Sequence, residues 1–138
     1  MGRWSLVLAL AWAAEAAQGH HSIAGVYDSA RPVTVEGRVT AFRFVNPHPI
    51  LVIDVPGAAG KESWQLEMDN RFELAQVGIT GETFAPGDRV VATGSAHRTE
   101  SRRLYLRRLD RPADGARYEQ VGSRPSFTSG CAAPRCPG

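Results

Sequence analysis

The most restrictive feature of this 138-residue chain is a proline corner between two apolar runs. Phe42–Val45 leads into an Asn-Pro-His-Pro corner at 46–49, and Ile50–Val55 follows it. Each proline lacks a backbone N–H donor and pushes the residue before it into an extended conformation. Because a helix is unfavourable across such a corner, we expect a strand on each side, with Asn46 and His48 held rigidly between them. The corner can therefore present a histidine nitrogen to a ligand.

Further strand patterns occur on both sides of the corner. Val33–Val45 alternates between apolar and polar residues, but its apolar face switches at Phe42, which predicts a bulge or a sharp coil. Ser63–Met68 also alternates, and Arg89–Thr93 and Arg103–Leu109 are short apolar runs flanked by turn or polar residues. Together with the run after the corner, these segments predict five strands.

A short helix is predicted between the third and fourth strands. Asn70 is a suitable N-cap, Glu73 lies at the position that completes a capping box, and Gly78 is a natural helix end. Three strands, one helix and two strands follow the order of an OB-fold, a small Greek-key barrel. We therefore predict an all-β fold with one short helix, built as a five-stranded OB-fold-like barrel. An open β-sandwich is the alternative.

The N-terminal residues have the features of an export signal. Met1–Arg3 supplies a positive charge, and Trp4–Ala14 is an apolar run of signal-peptide length, shorter than the roughly 20 residues of a membrane span. A buried N-terminal helix is the alternative. Small-x-small patterns place the mature N-terminus at Ala17 or at His20. We therefore predict a signal peptide at 1–19, a periplasmic or secreted location, and no membrane span after cleavage.

The last part of the chain differs in composition from the predicted barrel. From Arg111 onward it is poor in aliphatic residues and rich in Pro, Gly, Ser and Arg, which predicts an irregular tail at 112–138 after a domain at 20–111. Both cysteines, Cys131 and Cys136, lie in this tail. In an exported protein such a pair normally forms a disulfide. A two-cysteine metal or redox site is the alternative, although the spacing matches no usual motif.

Several motifs occur in an order that resembles a known family. They are His-His-Ser at 20–22, Tyr-Asp at 27–28, Pro-Val-Thr-x-x-Gly at 32–37, Asn-Pro-His at 46–48 and Pro-Gly-Asp at 86–88. The series resembles a family of small exported bacterial proteins that is classed as a domain of unknown function. The resemblance extends over roughly Gly19–Leu109. It implies a periplasmic OB-like module and no established activity.

The histidines suggest a metal site. If cleavage leaves His20 first, its α-amine and ring nitrogen can chelate one ion, and His21 or His48 can add a third nitrogen. This arrangement resembles the histidine brace of copper enzymes and copper carriers. Amine and imidazole nitrogens favour Cu(II) among the common divalent ions. The alternatives are a polar N-terminus that binds nothing specific and a corner histidine satisfied by backbone hydrogen bonds.

A second hypothesis places a binding surface on the fifth strand. Arg103, Tyr105 and Arg107 alternate there, and OB-folds bind oligonucleotides and oligosaccharides on such a face. The formal net charge of only +2 and the predicted export argue against nucleic acid. An anionic envelope polymer, an envelope protein or a small ligand is then the expected partner. A solvated edge that discourages strand pairing is the alternative.

The remaining polar residues give little indication of catalysis. Glu67 and Asp69 are expected to be solvated strand carboxylates, and His97 is expected in a polar surface loop. The sequence contains no Gly-x-Ser-x-Gly, no His-Glu-x-x-His and no phosphate loop. We therefore predict that the protein is not a hydrolase or a transferase.

Overall fold

The fold is taken from a computed structural model, which describes residues 23–131. The predicted signal peptide at 1–19, together with His20, His21 and Cys136, lies outside the described residues. A helical turn at 23–26 precedes the first strand. The seven strands are β1 (Tyr27–Arg43), β2 (Ile50–Gly57), β3 (Gly60–Glu67), β4 (Arg89–His97), β5 (Arg103–Arg111), β6 (Ala116–Val121) and β7 (Arg124–Thr128), and helix α1 (Arg71–Gln76) lies between β3 and β4.

Five of the strands form a closed ring. The long strand β1 pairs with β4 up to Arg38 and with β2 from Arg38 to Arg43, all antiparallel. The hairpins β2–β3 and β4–β5 extend from these pairings, and a parallel pairing of β3 with β5 closes the ring. The predicted all-β class is confirmed, with five ring strands and a short helix between β3 and β4.

The bend of β1 has two visible causes. The register against β2 shifts between Val39 and Ala41, close to the predicted change of face. At Gly37 a Cβ atom would lie 2.3 Å from the carbonyl oxygen of Asp54, so only glycine allows the two backbones to approach this closely. The bend lets one strand contribute to both sides of the ring.

Alternate side chains of the ring strands point inward and form an apolar core. Leu66, Leu104 and Leu106 are fully buried, whereas their sequence neighbours in β3 and β5 face outward. Other fully buried members of the core are Leu51, Ile53, Met68, Leu74, Ile79, Val90, Ala92 and Leu109. Because the leucines of β3 and β5 point inward, the polar residues beside them in the sequence share the outer face of the ring.

Helix α1 begins at its predicted cap. The Asn70 side-chain oxygen accepts the Glu73 backbone N–H at 2.9 Å. The reciprocal half of the predicted capping box is replaced, because the Asn70 backbone N–H donates to Asp69 Oδ1 at 2.7 Å instead. Gly78 follows the helix with a φ of +89°, a conformation that suits glycine. Within residues 23–131, no helix is long and apolar enough to cross a bilayer.

The prediction of an irregular structure from residue 112 is wrong over the region that forms β6 and β7. Strand β6 pairs with β5, and Tyr118 lies opposite Leu109 and is fully buried in the core. The alternation of Ala116, Tyr118 and Gln120 toward the inside is the strand signal, and the charged residues between them obscure it. The composition of this segment was misleading, because two aromatic residues, Tyr118 and Phe127, pack on the core in place of the aliphatic residues that the segment lacks.

The end of the described chain is tied back to the turn before β6. The backbone N–H of Cys131 donates to the Asp114 carbonyl at 3.0 Å. Cys131 is disulfide-bonded. The other cysteine of the chain, Cys136, lies outside the described residues.

Candidate functional site

A polar cleft of about 570 Å³ lies beside the junction of β3 with β5. Its walls come from the helical turn at 23–26, the start of β1, the proline corner, the start of α1, strands β4 and β5, and the β6–β7 turn. Small-molecule sites in proteins usually have volumes between about 300 and 1,000 Å³. The cleft is therefore large enough for a small ligand.

The parallel pairing of β3 with β5 determines which side chains lie together beneath the cleft. Leu66 lies opposite Leu104 and both point into the core, so Glu67 and Tyr105, which are also partners, point outward together. Arg103 precedes them on the same outer face of β5. Tyr27 comes from a different strand, since it is the first residue of β1 and pairs with the last residue of β4.

Glu67 is the centre of a hydrogen-bonded cluster, which we call the Glu67 network (Tyr27, His48, Glu67 and Arg103). Its Oε1 lies 2.7 Å from His48 Nδ1. Its Oε2 accepts the Tyr27 hydroxyl and, at 3.0 Å, Arg103 Nη2. Arg103 Nε also donates to the Tyr27 hydroxyl oxygen at 3.0 Å. The Glu67 side chain is only 13% exposed, so the expectation of a solvated carboxylate is wrong.

The network fixes the charges of its members. Burial alone would raise the pKa of Glu67, but hydrogen bonds from His48, Tyr27 and Arg103 outweigh it and lower the pKa to about 2. The hydrogen bond to Glu67 raises the pKa of His48, although burial opposes it. Burial and then the Glu67 carboxylate raise the pKa of Tyr27, which stays a neutral donor.

His48 has one nitrogen engaged and one available. Since Glu67 is a carboxylate at neutral pH, Nδ1 carries the proton that joins the two groups. His48 lines the cleft, and Nε2 makes no hydrogen bond within residues 23–131. The prolines on both sides of His48 hold the backbone of the corner, and the Met68 N–H donates to the Pro49 carbonyl at 2.9 Å. The predicted corner thus presents a single imidazole nitrogen to the cleft.

An aromatic layer supports the network. The Tyr27 ring packs edge-on against His97 at 5.2 Å and lies 5.7 Å from the Tyr105 ring. The prediction of His97 in a surface loop is wrong, because it is the last residue of β4 and its side chain is 9% exposed. Its Nδ1 accepts the backbone N–H of Glu100 at 2.9 Å. His97 therefore holds the β4–β5 turn and supports Tyr27.

Asp69 links the cleft to the C-terminal hairpin. Its Oδ2 accepts Gln120 Nε2 at 2.6 Å, and the Gln120 Oε1 accepts the Tyr118 hydroxyl at 2.7 Å. Its Oδ1 accepts the Asn70 N–H that starts α1. Both oxygens are engaged, so Asp69 has a structural role and is not simply solvated.

Residues from the two predicted binding hypotheses meet at this one cleft. His48 and Arg103 contact the same carboxylate, while Tyr105 and Arg107 line the cleft beside them. His20 and His21 lie outside the described residues. Among residues 23–131, no group of three or more His, Cys, Asp or Glu side chains is arranged to hold a metal ion.

The sequence interpretation missed Tyr27 and Glu67 as site residues. The Tyr-Asp motif at 27–28 was visible, and the outward position of Glu67 follows from the alternation of β3. Their meeting depends on the ring closure, since 40 residues separate Tyr27 from Glu67. Local spacing cannot reveal such a contact.

Residues 8–104 match a family described as a family of unknown function (DUF6152). The chain belongs to this family. The matched range contains the whole Glu67 network and ends before Tyr105, so Arg107 and the β6–β7 hairpin fall outside it. Searches of curated proteins and of solved structures found no match to this chain.

Proposed function

We propose that this is an exported Cu(II)-binding protein whose metal site is built on His48. The observation that carries the proposal is the 2.7 Å contact between His48 Nδ1 and Glu67 Oε1 at the wall of the cleft. Metal-ligating histidines almost always donate their second ring N–H to a carboxylate or a carbonyl, which fixes the tautomer and the ring orientation. Here that bond leaves Nε2 as the nitrogen available to a metal.

The other ligands in the proposal are His20 and His21. The cleft is lined by Ile23 and Ala24, the first described residues of the chain. An extended chain covers at most about 3.3–3.6 Å per residue, so three residues reach roughly 10 Å. That reach allows His20 and His21 to contribute nitrogens near His48. If His20 is the mature N-terminus, its α-amine is a further ligand, and such a nitrogen-rich set favours Cu(II).

The proposed location rests on the N-terminal sequence and on Cys131. The signal-like residues predict export, and Cys131 is disulfide-bonded. Disulfides persist in oxidising compartments such as the periplasm and the extracellular space.

The test begins with protein secreted to the periplasm of a bacterial host. Intact mass should show a chain that starts at His20, and titration should show one Cu(II) per chain. His48→Ala should lose that copper, whereas His97→Gln should keep it, because His97 does not line the cleft and its Nδ1 and Nε2 both lie against Glu100. Circular dichroism checks that both variants fold.

Electron paramagnetic resonance of the wild-type copper complex supplies a readout that needs no variant. Labelling histidine with ¹⁵N should change the hyperfine pattern of the bound Cu(II). A mature chain starting at Ala17 would contradict the proposed N-terminal amine ligand. Copper binding that is unchanged in His48→Ala would contradict the site as a whole.

A further inference from the structure

Arg107 differs from the arginines at and beside the cleft, Arg98 and Arg103, in its charge pairing. Arg103 pairs with Glu67 at 3.0 Å, and Arg98 approaches Asp28 at 3.7 Å. Arg107 has no carboxylate within 4.0 Å in the described part of the chain. It lines the cleft as a cation whose counter-charge is missing.

The position of the Arg107 guanidinium is nevertheless fixed. It lies over the Tyr105 ring at 4.8 Å from the ring centre. That ring is 5% exposed and packs against Tyr27. A guanidinium stacked on a fixed ring keeps its planar fork of N–H donors ready for a planar anion.

Ser95 provides a second polar group that a ligand in the cleft can use. It is 5% exposed, it lines the cleft, and it lies directly opposite Tyr105 in the β4–β5 pairing. Its hydroxyl makes no hydrogen bond within residues 23–131. The hydroxyl oxygen is not itself cut off from solvent, so it is available as a donor to a group bound in the cleft.

The acidic residues of the cleft limit the kind of ligand. Both Asp69 oxygens are engaged, by Gln120 and by the Asn70 N–H. Glu73 also lines the cleft, and no cation lies within 4.0 Å of it among the described residues. Among the described residues that line the cleft, Arg107 is thus a cation without a carboxylate partner, and Asp69 and Glu73 are carboxylates without a cationic partner; of these two, only Glu73 has no hydrogen-bond donor on its oxygens.

We propose that the cleft binds a small zwitterion of the α-amino acid class. The ligand carboxylate lies on the fork of Arg107 with the Ser95 hydroxyl as an additional donor, and its ammonium group faces Glu73. A carboxylate matches the guanidinium in shape and accepts two parallel hydrogen bonds. A phosphate dianion is less suitable, because Asp69 and Glu73 add negative charge to the same cleft. The proposal requires neither copper nor the N-terminal histidines.

The experiment uses the metal-free, full mature protein. An equimolar mixture of the twenty standard L-amino acids is added while the ¹⁵N signal of the Arg107 side chain is followed by NMR, which should shift. The tightest-binding amino acid is then compared by calorimetry with its amide and with its N-acetyl derivative. Each derivative lacks one charge and should bind roughly tenfold more weakly or worse, as expected for a lost charge-assisted hydrogen bond.

Substitutions at Arg107 and Ser95 test whether the amino acid binds at these residues. Arg107→Gln should weaken binding by a factor of roughly ten or more, and Ser95→Ala should weaken it less. Arg43→Gln is the matched control, since it removes an exposed arginine that does not line the cleft. Three results would overturn the proposal: no amino acid shifts the Arg107 signal, Arg107→Gln binds as well as the wild type, or inorganic phosphate binds more tightly than the amino acids. Because copper is absent throughout, failure here is distinct from failure of the copper site.

Discussion

At the scale of single residues, one carboxylate determines how His48 behaves. Glu67 accepts hydrogen bonds from Tyr27, His48 and Arg103, and it is almost completely withdrawn from solvent. In Glu67→Gln the neutral amide keeps the shape but loses the charge, so the pKa of His48 should fall below its wild-type value. NMR titration of the His48 ring measures this directly.

The control for that prediction lies in the same strand. Glu62→Gln removes a carboxylate that is 42% exposed and pairs only loosely with Arg102, at 4.0 Å. It should leave the pKa of His48 unchanged. If Glu67→Gln behaves like Glu62→Gln, the contact to Nδ1 does not control the imidazole.

The same network predicts the pH dependence of stability. The folded-state pKa of Glu67, about 2, lies below its ordinary value of 4.5, so its contribution is present above pH 4.5 and is lost as the pH falls toward 2. The pKa of His48 is raised above 6.5, so its contribution is present below pH 6.5 and is lost as the pH rises through the folded-state pKa. Urea unfolding across this range should show a plateau between these limits. Glu67→Gln should flatten both sides of it, and an unchanged profile would contradict the assignment.

At the scale of elements, the irregularity in β4 brings Ser95 into register with Tyr105. The pairing of β4 with β5 shifts between Thr93 and Gly94. A Cβ atom at Gly94 would lie 2.2 Å from the Tyr105 carbonyl oxygen and 2.5 Å from Leu104 Cδ1. Gly94→Ala must therefore displace backbone, and we expect it to lower the free energy of unfolding by about 1–3 kcal/mol, the range for overpacked sites.

Gly25→Ala is the matched control for the Gly94 prediction. Gly25 has open space around its Cβ position, so the substitution should change the free energy of unfolding by less than about 0.5 kcal/mol. Urea denaturation compares the two variants. Equal effects would show that the close approach at Gly94 does not limit the packing of β4 on β5.

The elements were predictable from sequence to different degrees. Alternation and turn residues located the five ring strands and the cap at Asn70, because those signals are local. Glu67 was misjudged, since its burial depends on a parallel contact between β3 and β5 that has no local signature. The β6–β7 hairpin was missed because charged residues separate the inward side chains of Tyr118 and Phe127. The predictions were thus wrong for residues whose burial depends on contact with a segment that is distant in sequence.

At the scale of the whole molecule, the hairpin completes both the core and the cleft. Tyr118 fills the core beside Leu109, and the Tyr118–Gln120–Asp69 chain of hydrogen bonds joins the hairpin to the start of α1. The β6–β7 turn also lines the cleft. A ligand in the cleft would therefore contact both the ring and the hairpin, and binding would stabilise their association.

A truncation tests whether the ring folds without the hairpin. A chain that ends at residue 111 loses Tyr118 from the core, and removing a buried aromatic side chain costs about 3–5 kcal/mol, a large part of the 5–15 kcal/mol that stabilises a typical domain. We expect this chain to lose cooperative urea unfolding and NMR signal dispersion. A chain that ends at residue 130 is the control, because it lacks both cysteines as well but keeps β6 and β7, and it should unfold cooperatively. If the two chains are equally stable, the five-stranded ring is an independent folding unit and the hairpin is only an addition to it.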